Sequence, residues 1–113
     1  MIKIEEKNNV KIAYFTNQDR INTLIAEAVK EELIVLFNEP NIKLAMNIES
    51  IKFIDSTGFS ALLAIRKAAE NNFGAFKICN IRDEVKELFE VLQLHNVFEL
   101  YDHCENCIES FKG

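Results

Sequence analysis

Hydrophobic and polar positions alternate at the start of the chain and then change period. Ile2-Lys3-Ile4-Glu5 alternates strictly and Val10-Lys11-Ile12-Ala13-Tyr14-Phe15 loosely, with Asn8-Asn9 between them as a tight-turn signal. Two such runs around that turn predict an opening β-hairpin. Thr16 to Asp19 is polar and predicts a loop. From about Asn22 the spacing becomes three and four: Ile21, Leu24, Ile25, Ala28, Val29, Leu33, Leu36 and Phe37, with Glu27, Lys30, Glu31 and Glu32 opposite. That is the period of an amphipathic helix, capped by Asn22 or Thr23 and ended by Asn38-Glu39-Pro40.

Ile42 to Ile48 is largely apolar and predicts a central strand. A further apolar run then meets the polar turn Asp55-Ser56-Thr57-Gly58. Beyond it Phe59, Leu62, Leu63, Arg66 and Ala69 mark one stripe of a second helix, stopped near Asn71 to Gly74 with Gly74 as a left-handed C-cap. Ala75 to Cys79 predicts another strand. Val85, Leu88, Phe89 and Leu92 line a third helix with Asp83 as its cap. Val97 to Tyr101 predicts a last short strand, and Asp102 caps a terminal helix running through Phe111. Strands alternating with helices imply an α/β domain with parallel strands, made mixed by the hairpin. Each of the three main helices has a single apolar stripe and needs only one sheet face to cover. The expected fold is therefore an α/β mixed β-sheet of about five strands with helices mainly on one face.

The 113 residues suit one domain spanning 1–113, and 49% hydrophobic with 27% charged residues is ordinary globular composition. The net charge of −5 argues against generic nucleic-acid or anionic-membrane binding, because phosphate surfaces reward basic faces. Met1 to Lys7 carries charges where a signal peptide needs an apolar run, and no window reaches the apolar length of a membrane span. The expected location is cytoplasmic.

Little in the sequence suits catalysis. His95 and His103 are read as solvated, three glycines (Gly58, Gly74, Gly113) build no phosphate loop, and the Gly-x-Ser-x-Gly elbow is absent. An enzyme is not expected, nor a metal. Cys104-x-x-Cys107 with His103 beside it lacks the four ligands of a structural zinc site, and Cys79 stands alone in a strand. The plain reading is small half-buried residues on a terminal helix. The other reading, a thiol protein using Cys104 and Cys107, calls for tight zinc or a low Cys104 thiol pKa.

Asp55-Ser56-Thr57-Gly58 carries more. Its plain role is a helix cap, in which Asp or Ser accepts from the first free N–H groups and Gly58 permits close backbone approach. A regulatory role is compatible with the cap. A phosphoryl group on Ser56 sits at the positive end of the helix dipole, so the fold tolerates it, while a docking partner meets roughly −1.5 to −2 added charges.

The run Ile51-Lys52-Phe53-Ile54-Asp55-Ser56-Thr57-Gly58-Phe59 resembles the signature of STAS domains, specifically the bacterial anti-sigma factor antagonists. Asn80-Ile81-x-x-x-Val85-Lys86-x-Leu88-Phe89-Glu90-x-x-x-Leu94 is similar to the family's segment around the third helix. The resemblance implies a protein that, unphosphorylated, binds an anti-sigma factor that is also a serine kinase and so frees a sigma factor. It implies phosphorylation by that kinase on Ser56, with Thr57 a secondary acceptor, reversal by a PP2C-type phosphatase, and Asp55 as a partner-contacting acid. The kinase brings the ATP site, so no cofactor is implied; the free protein is expected to be a monomer. Where the family usually has a Gly-Glu-Leu-Asp-like turn, this chain has Thr16-Asn17-Gln18-Asp19, with Asp19 in place of the acid and the glycine missing. Asp19, Asp55, Ser56, Thr57, Gly58 and Phe59 are the expected partner-binding residues, with Phe59, where leucine is commoner, enlarging an exposed apolar contact. The alternative within the family is a non-phosphorylated binding subunit of another assembly, in lipid transport or secretion regulation.

Overall fold

A computed structural model describes residues 1–112. In chain order it contains β1 (Ile2–Lys7), β2 (Val10–Phe15), β3 (Arg20–Ile21), α1 (Ala26–Ile34) with a 3-10 turn over Val35–Asn38, β4 (Lys43–Asn47), β5 (Phe53–Ile54), α2 (Ser56–Asn71), β6 (Ala75–Cys79), α3 (Asp83–Val91), β7 (Leu100–Tyr101) and α4 (Cys104–Ser110). The main sheet has five strands in the order β1-β2-β4-β6-β7. β1 is antiparallel to β2 and every other neighbour is parallel, so the sheet is mixed, as the sequence implies. Asn8 and Asn9 make the hairpin turn with φ of 54° and 68°, the left-handed pair that a two-residue type I′ turn requires.

Period-two alternation sorts the sheet into two faces. Ala13, Phe15, Leu44, Met46, Phe76 and Ile78 join one core with Val29 and Leu33 of α1, Leu62 and Ile65 of α2, and Val85 and Phe89 of α3. Their alternates Val10, Ala45 and Cys79 face the other way, onto Cys107 and Ile108 of α4 and onto Phe111. Three helices thus cover one face and the short α4 the other. The larger core carries a chain of edge-to-face aromatic contacts, Phe59 to Phe89 to Phe98, with ring centroids 5.0 and 5.6 Å apart.

Several local expectations are corrected. The buried stripe of α2 is Gly58, Phe59, Ala61, Leu62, Ile65 and Ala69, so Leu63 and Arg66 lie outside it. Leu24 and Leu92 are also exposed and lie outside the helices, Leu24 before the start of α1 and Leu92 after the end of α3. Gly74 is not the left-handed residue after α2; Phe73 is, at φ 58°. Gly74 is needed for space instead, since a Cβ there would stand 2.8 Å from the Ile42 carbonyl oxygen and 2.9 Å from the Phe37 ring. Asp83 is the first residue of α3 rather than its cap. Asp102 does not cap α4: its carboxylate accepts from Lys86 Nζ at 3.0 Å, and the Cys104 N–H donates to Asn80 Oδ1 at 2.9 Å. β7 is confined to Leu100–Tyr101, because Val97 and Phe98 close a turn onto the Leu94 carbonyl. No helix among the described residues is long and apolar enough to cross a membrane.

Candidate functional site

The Asp55–Gly58 turn is held by a small sheet that the hydrophobic pattern does not reveal. β3 and β5 pair in parallel, Arg20 opposite Phe53 and Ile21 opposite Ile54. The Lys52 N–H donates to the Asp19 carbonyl at 2.6 Å, and the Asp55 N–H to the Ile21 carbonyl at 3.1 Å. α2 starts directly against that strand pair. Gly58 is buried there, where a Cβ would lie 2.5 Å from the Ile21 carbonyl oxygen and 2.7 Å from Ile54 Cγ2. Only glycine lets the first turn of α2 approach so closely.

Asp55 is the N-cap of α2, with extended backbone. Its Oδ1 accepts from the Gly58 N–H at 2.9 Å and from the Thr57 hydroxyl at 2.6 Å. Its Oδ2 accepts from the Thr23 N–H at 3.2 Å, with the Thr23 hydroxyl at 3.5 Å. The Thr23 and Thr57 hydroxyls stand 3.4 Å apart. Donors therefore surround the carboxylate, and the hydrogen bond from Thr57, followed by that from Gly58, holds its pKa below the ordinary value. Asp55, expected as a partner-contacting acid, accepts from Thr57 and Gly58 within the turn and from Thr23 beside it.

Ser56 is different. It is the first residue of α2, exposed, and its hydroxyl makes no hydrogen bond among the described residues. Ser56 stands at the N-terminal end of a 16-residue helix, where aligned peptide dipoles and free N–H groups favour an anion.

The remaining expected residues divide. Phe59 is 5% exposed and packs edge-to-face on Phe89, which corrects its reading as an exposed contact: it points from α2 into the core. Exposed apolar surface near the turn comes from Leu24 (88% exposed) and Phe53 (45%). Asp19 is exposed and pairs with its neighbour Arg20 at 3.2 Å, level with Lys52 rather than with Asp55. Asn17 takes the loop's left-handed backbone at φ 60°, a conformation asparagine tolerates better than most residues. The residue brought to Asp55 is Thr23, 32 positions away. It was legible only as a possible helix cap, and α1 starts three residues later with Ile25 at its N-cap.

Beside Thr57 a groove of about 420 Å³ runs between α1 and α2, lined by Thr23, Ala26, Glu27, Lys30, Ser60, Ala61 and Ala64. The alanines keep the helices' facing surfaces low, so the groove stays open. Among the described residues no group of three or more His, Cys, Asp or Glu is arranged to hold a metal ion. His95 and His103 are both exposed.

The STAS domain family model matches residues 1–107. BtrV of Bordetella bronchiseptica, named as an anti-sigma factor antagonist, is 22% identical over 95 residues, 84% of this chain and 82% of that protein. The structure of an anti-sigma-factor antagonist (STAS) domain protein from Planctomyces limnophilus superposes with a TM-score of 0.90 at 16% identity, covering 99% of this chain and 98% of the other. A sulfate transporter family protein from Wolinella succinogenes gives a TM-score of 0.80 at 16% identity, covering 94% of this chain and 87% of the other. At such identities the structural likeness establishes the fold alone. On the family match over nearly its whole length, the chain belongs to the STAS domain family.

Proposed function

We propose that this protein is an anti-sigma factor antagonist working by partner switching. Its unphosphorylated form binds an anti-sigma factor that is also a serine kinase, and phosphorylation of Ser56 ends that binding until a PP2C-type phosphatase restores it. The observation that carries the reading is the contrast within the turn: Ser56 presents a free, exposed hydroxyl, while the hydroxyl beside it is engaged by Asp55. The similarity to BtrV supports the same role.

Phosphorylation transfers the γ-phosphoryl group of ATP to Ser56 Oγ, and the hydroxyl proton leaves to a base on the kinase. The product dianion sits at the positive end of α2, so the fold keeps it and the partner surface changes. Asp19, Thr57 and the exposed Leu24 and Phe53 frame the docking surface, with Gly58 and Phe59 supporting it from below.

The test is intact mass after incubation with a cognate anti-sigma kinase and ATP, with Ser56→Ala alongside. One added phosphoryl group that vanishes in the variant is the expected result. If the kinase modifies its own known substrate but leaves this chain unmodified and still bound, the non-phosphorylated binding role takes its place.

A further inference from the structure

The three cysteines, distant in sequence, meet on the sheet face opposite the turn. Cys79 ends β6, and Cys104 and Cys107 lie one helical turn apart on α4, which packs on that strand. The Cys104 N–H bonded to Asn80 Oδ1, at 2.9 Å, ties the start of α4 to the residue after Cys79. Cys79 and Cys107 are fully buried, while Cys104 is half-exposed. Lys77, only 8% exposed, is buried beside them, its Nζ donating to the Ser110 hydroxyl at 2.9 Å and lying 4.5 Å from the Phe111 ring centroid.

We propose that Cys104 and Cys107 form a peroxide-sensitive thiol pair that closes to a disulfide, with Cys79 buried beside it. The order of events follows from access. Solvent reaches Cys104, so its thiolate attacks a peroxide oxygen: the O–O bond breaks, an S–O bond forms, and hydroxide or alkoxide leaves to be protonated. The Cys107 thiolate then attacks the Cys104 sulfenic sulfur, forming S–S and breaking S–O; the hydroxide that leaves takes up the proton given up by the Cys107 thiol and becomes water. In sum two thiols and one hydroperoxide give one disulfide, one water and one alcohol, or two waters when the oxidant is hydrogen peroxide.

Cys107 rather than Cys79 is the resolving thiol. Contact with the neighbouring Cys79 thiol, and then the Lys77 ammonium group, lower the Cys107 pKa, whereas the same contact and burial raise that of Cys79. A thiolate is the attacking species. In regular α-helix geometry residues three apart have Cα atoms about 5 Å apart, within the disulfide range. The pair therefore closes without moving α4 off the sheet.

The experiment is hydrogen peroxide treatment of the full, pre-reduced chain, followed by denaturation, maleimide labelling, intact mass and peptide mapping. Labelled thiols are expected to fall from three to one, with the peptide carrying Cys104 and Cys107 lighter by two hydrogens and Cys79 labelled. Cys104→Ser keeps both remaining thiols labelled; Cys107→Ala loses the Cys104 label alone, as a sulfenic acid with no bridge; Cys79→Ala still loses two labels. Three labels after peroxide, a bridge to Cys79, or a sulfinic acid on Cys104 without a bridge each overturn the proposal. The wild-type peptide map decides this even if a variant at buried Cys107 fails to fold.

Discussion

The Thr57 hydroxyl donates to Asp55 Oδ1 at 2.6 Å, and this bond separates two neighbouring hydroxyls of one turn. Phosphorylating Thr57 requires breaking it and bringing a dianion against the carboxylate that caps α2. Ser56 makes no such demand. With an anti-sigma kinase, wild-type protein is expected to take one phosphoryl group on Ser56, and Ser56→Ala none on Thr57. Phosphate on Thr57 at comparable rate would show that the bond does not govern acceptor choice.

Ser56→Asp and Ser56→Ala are both expected to fold with stability within about 0.5 kcal/mol of wild type, because the position is exposed and an acid suits the first turn of a helix. Their partner binding should differ. Calorimetric titration with the kinase should find Ser56→Ala binding like wild type and Ser56→Asp weakened at least tenfold. Equal affinities with equal melting temperatures would end the switch reading.

Asp55 links the turn to acid stability. Its folded pKa is lowered, so its contribution is complete above the ordinary carboxylate value and is lost as pH falls through the lowered folded value. Asp55→Asn should melt lower than wild type at neutral pH. The gap should narrow as pH falls below the ordinary carboxylate value of about 4 and on through the lowered folded value, where the wild-type carboxyl protonates. Melting curves across that range, read by circular dichroism, check it; a constant gap would exclude the linkage.

Gly58→Ala sets two effects against each other. Alanine in a helix interior is normally favoured by about 1 kcal/mol. Here the new Cβ meets the Ile21 backbone carbonyl at 2.5 Å, and backbone cannot swing aside as a side chain can. Overpacking costs about 1–3 kcal/mol or more, so a net loss is expected in urea denaturation. Phe89→Ala is the larger lesion, removing the middle ring of the Phe59–Phe89–Phe98 chain at about 3–5 kcal/mol.

Asn80 joins the two sheet faces' fortunes. It holds left-handed backbone at φ 55° and accepts the first free N–H of α4. Asn80→Gly keeps the backbone and removes only the cap, which is expected to cost about 1 kcal/mol. Maleimide should then label Cys107 faster in the native protein, as α4 opens from the sheet. Unchanged labelling would mean that α4 is held by its apolar contacts alone.

The hairpin, the central strands and the three main helices were legible because each buries a face whose period is local. Turn residues such as Asn8 and Asn9 have conformational preferences that need no partner. The Asp55–Gly58 motif was legible for the same reason, since a cap is written within four residues. What the sequence could not contain were relationships across loops. β3 and β5 are two residues each, too short for a period, and they exist because parallel pairing satisfies backbone groups beside the turn. Thr23 reaches Asp55 only because that pairing brings its segment alongside.

The same division explains the corrections. Phe59 and Leu63 are both apolar on one helix, and only the packing of α2 against α3 buries the first and exposes the second. Gly74 and the cap of α4 were read from residue preference, but available space and the Asn80 side chain decided them. Local periodicity and turn chemistry determined the elements and the candidate switch. Tertiary structure alone decided that Thr23 joins Asp55 and that three cysteines share one site, because those contacts depend on groups far apart in the chain.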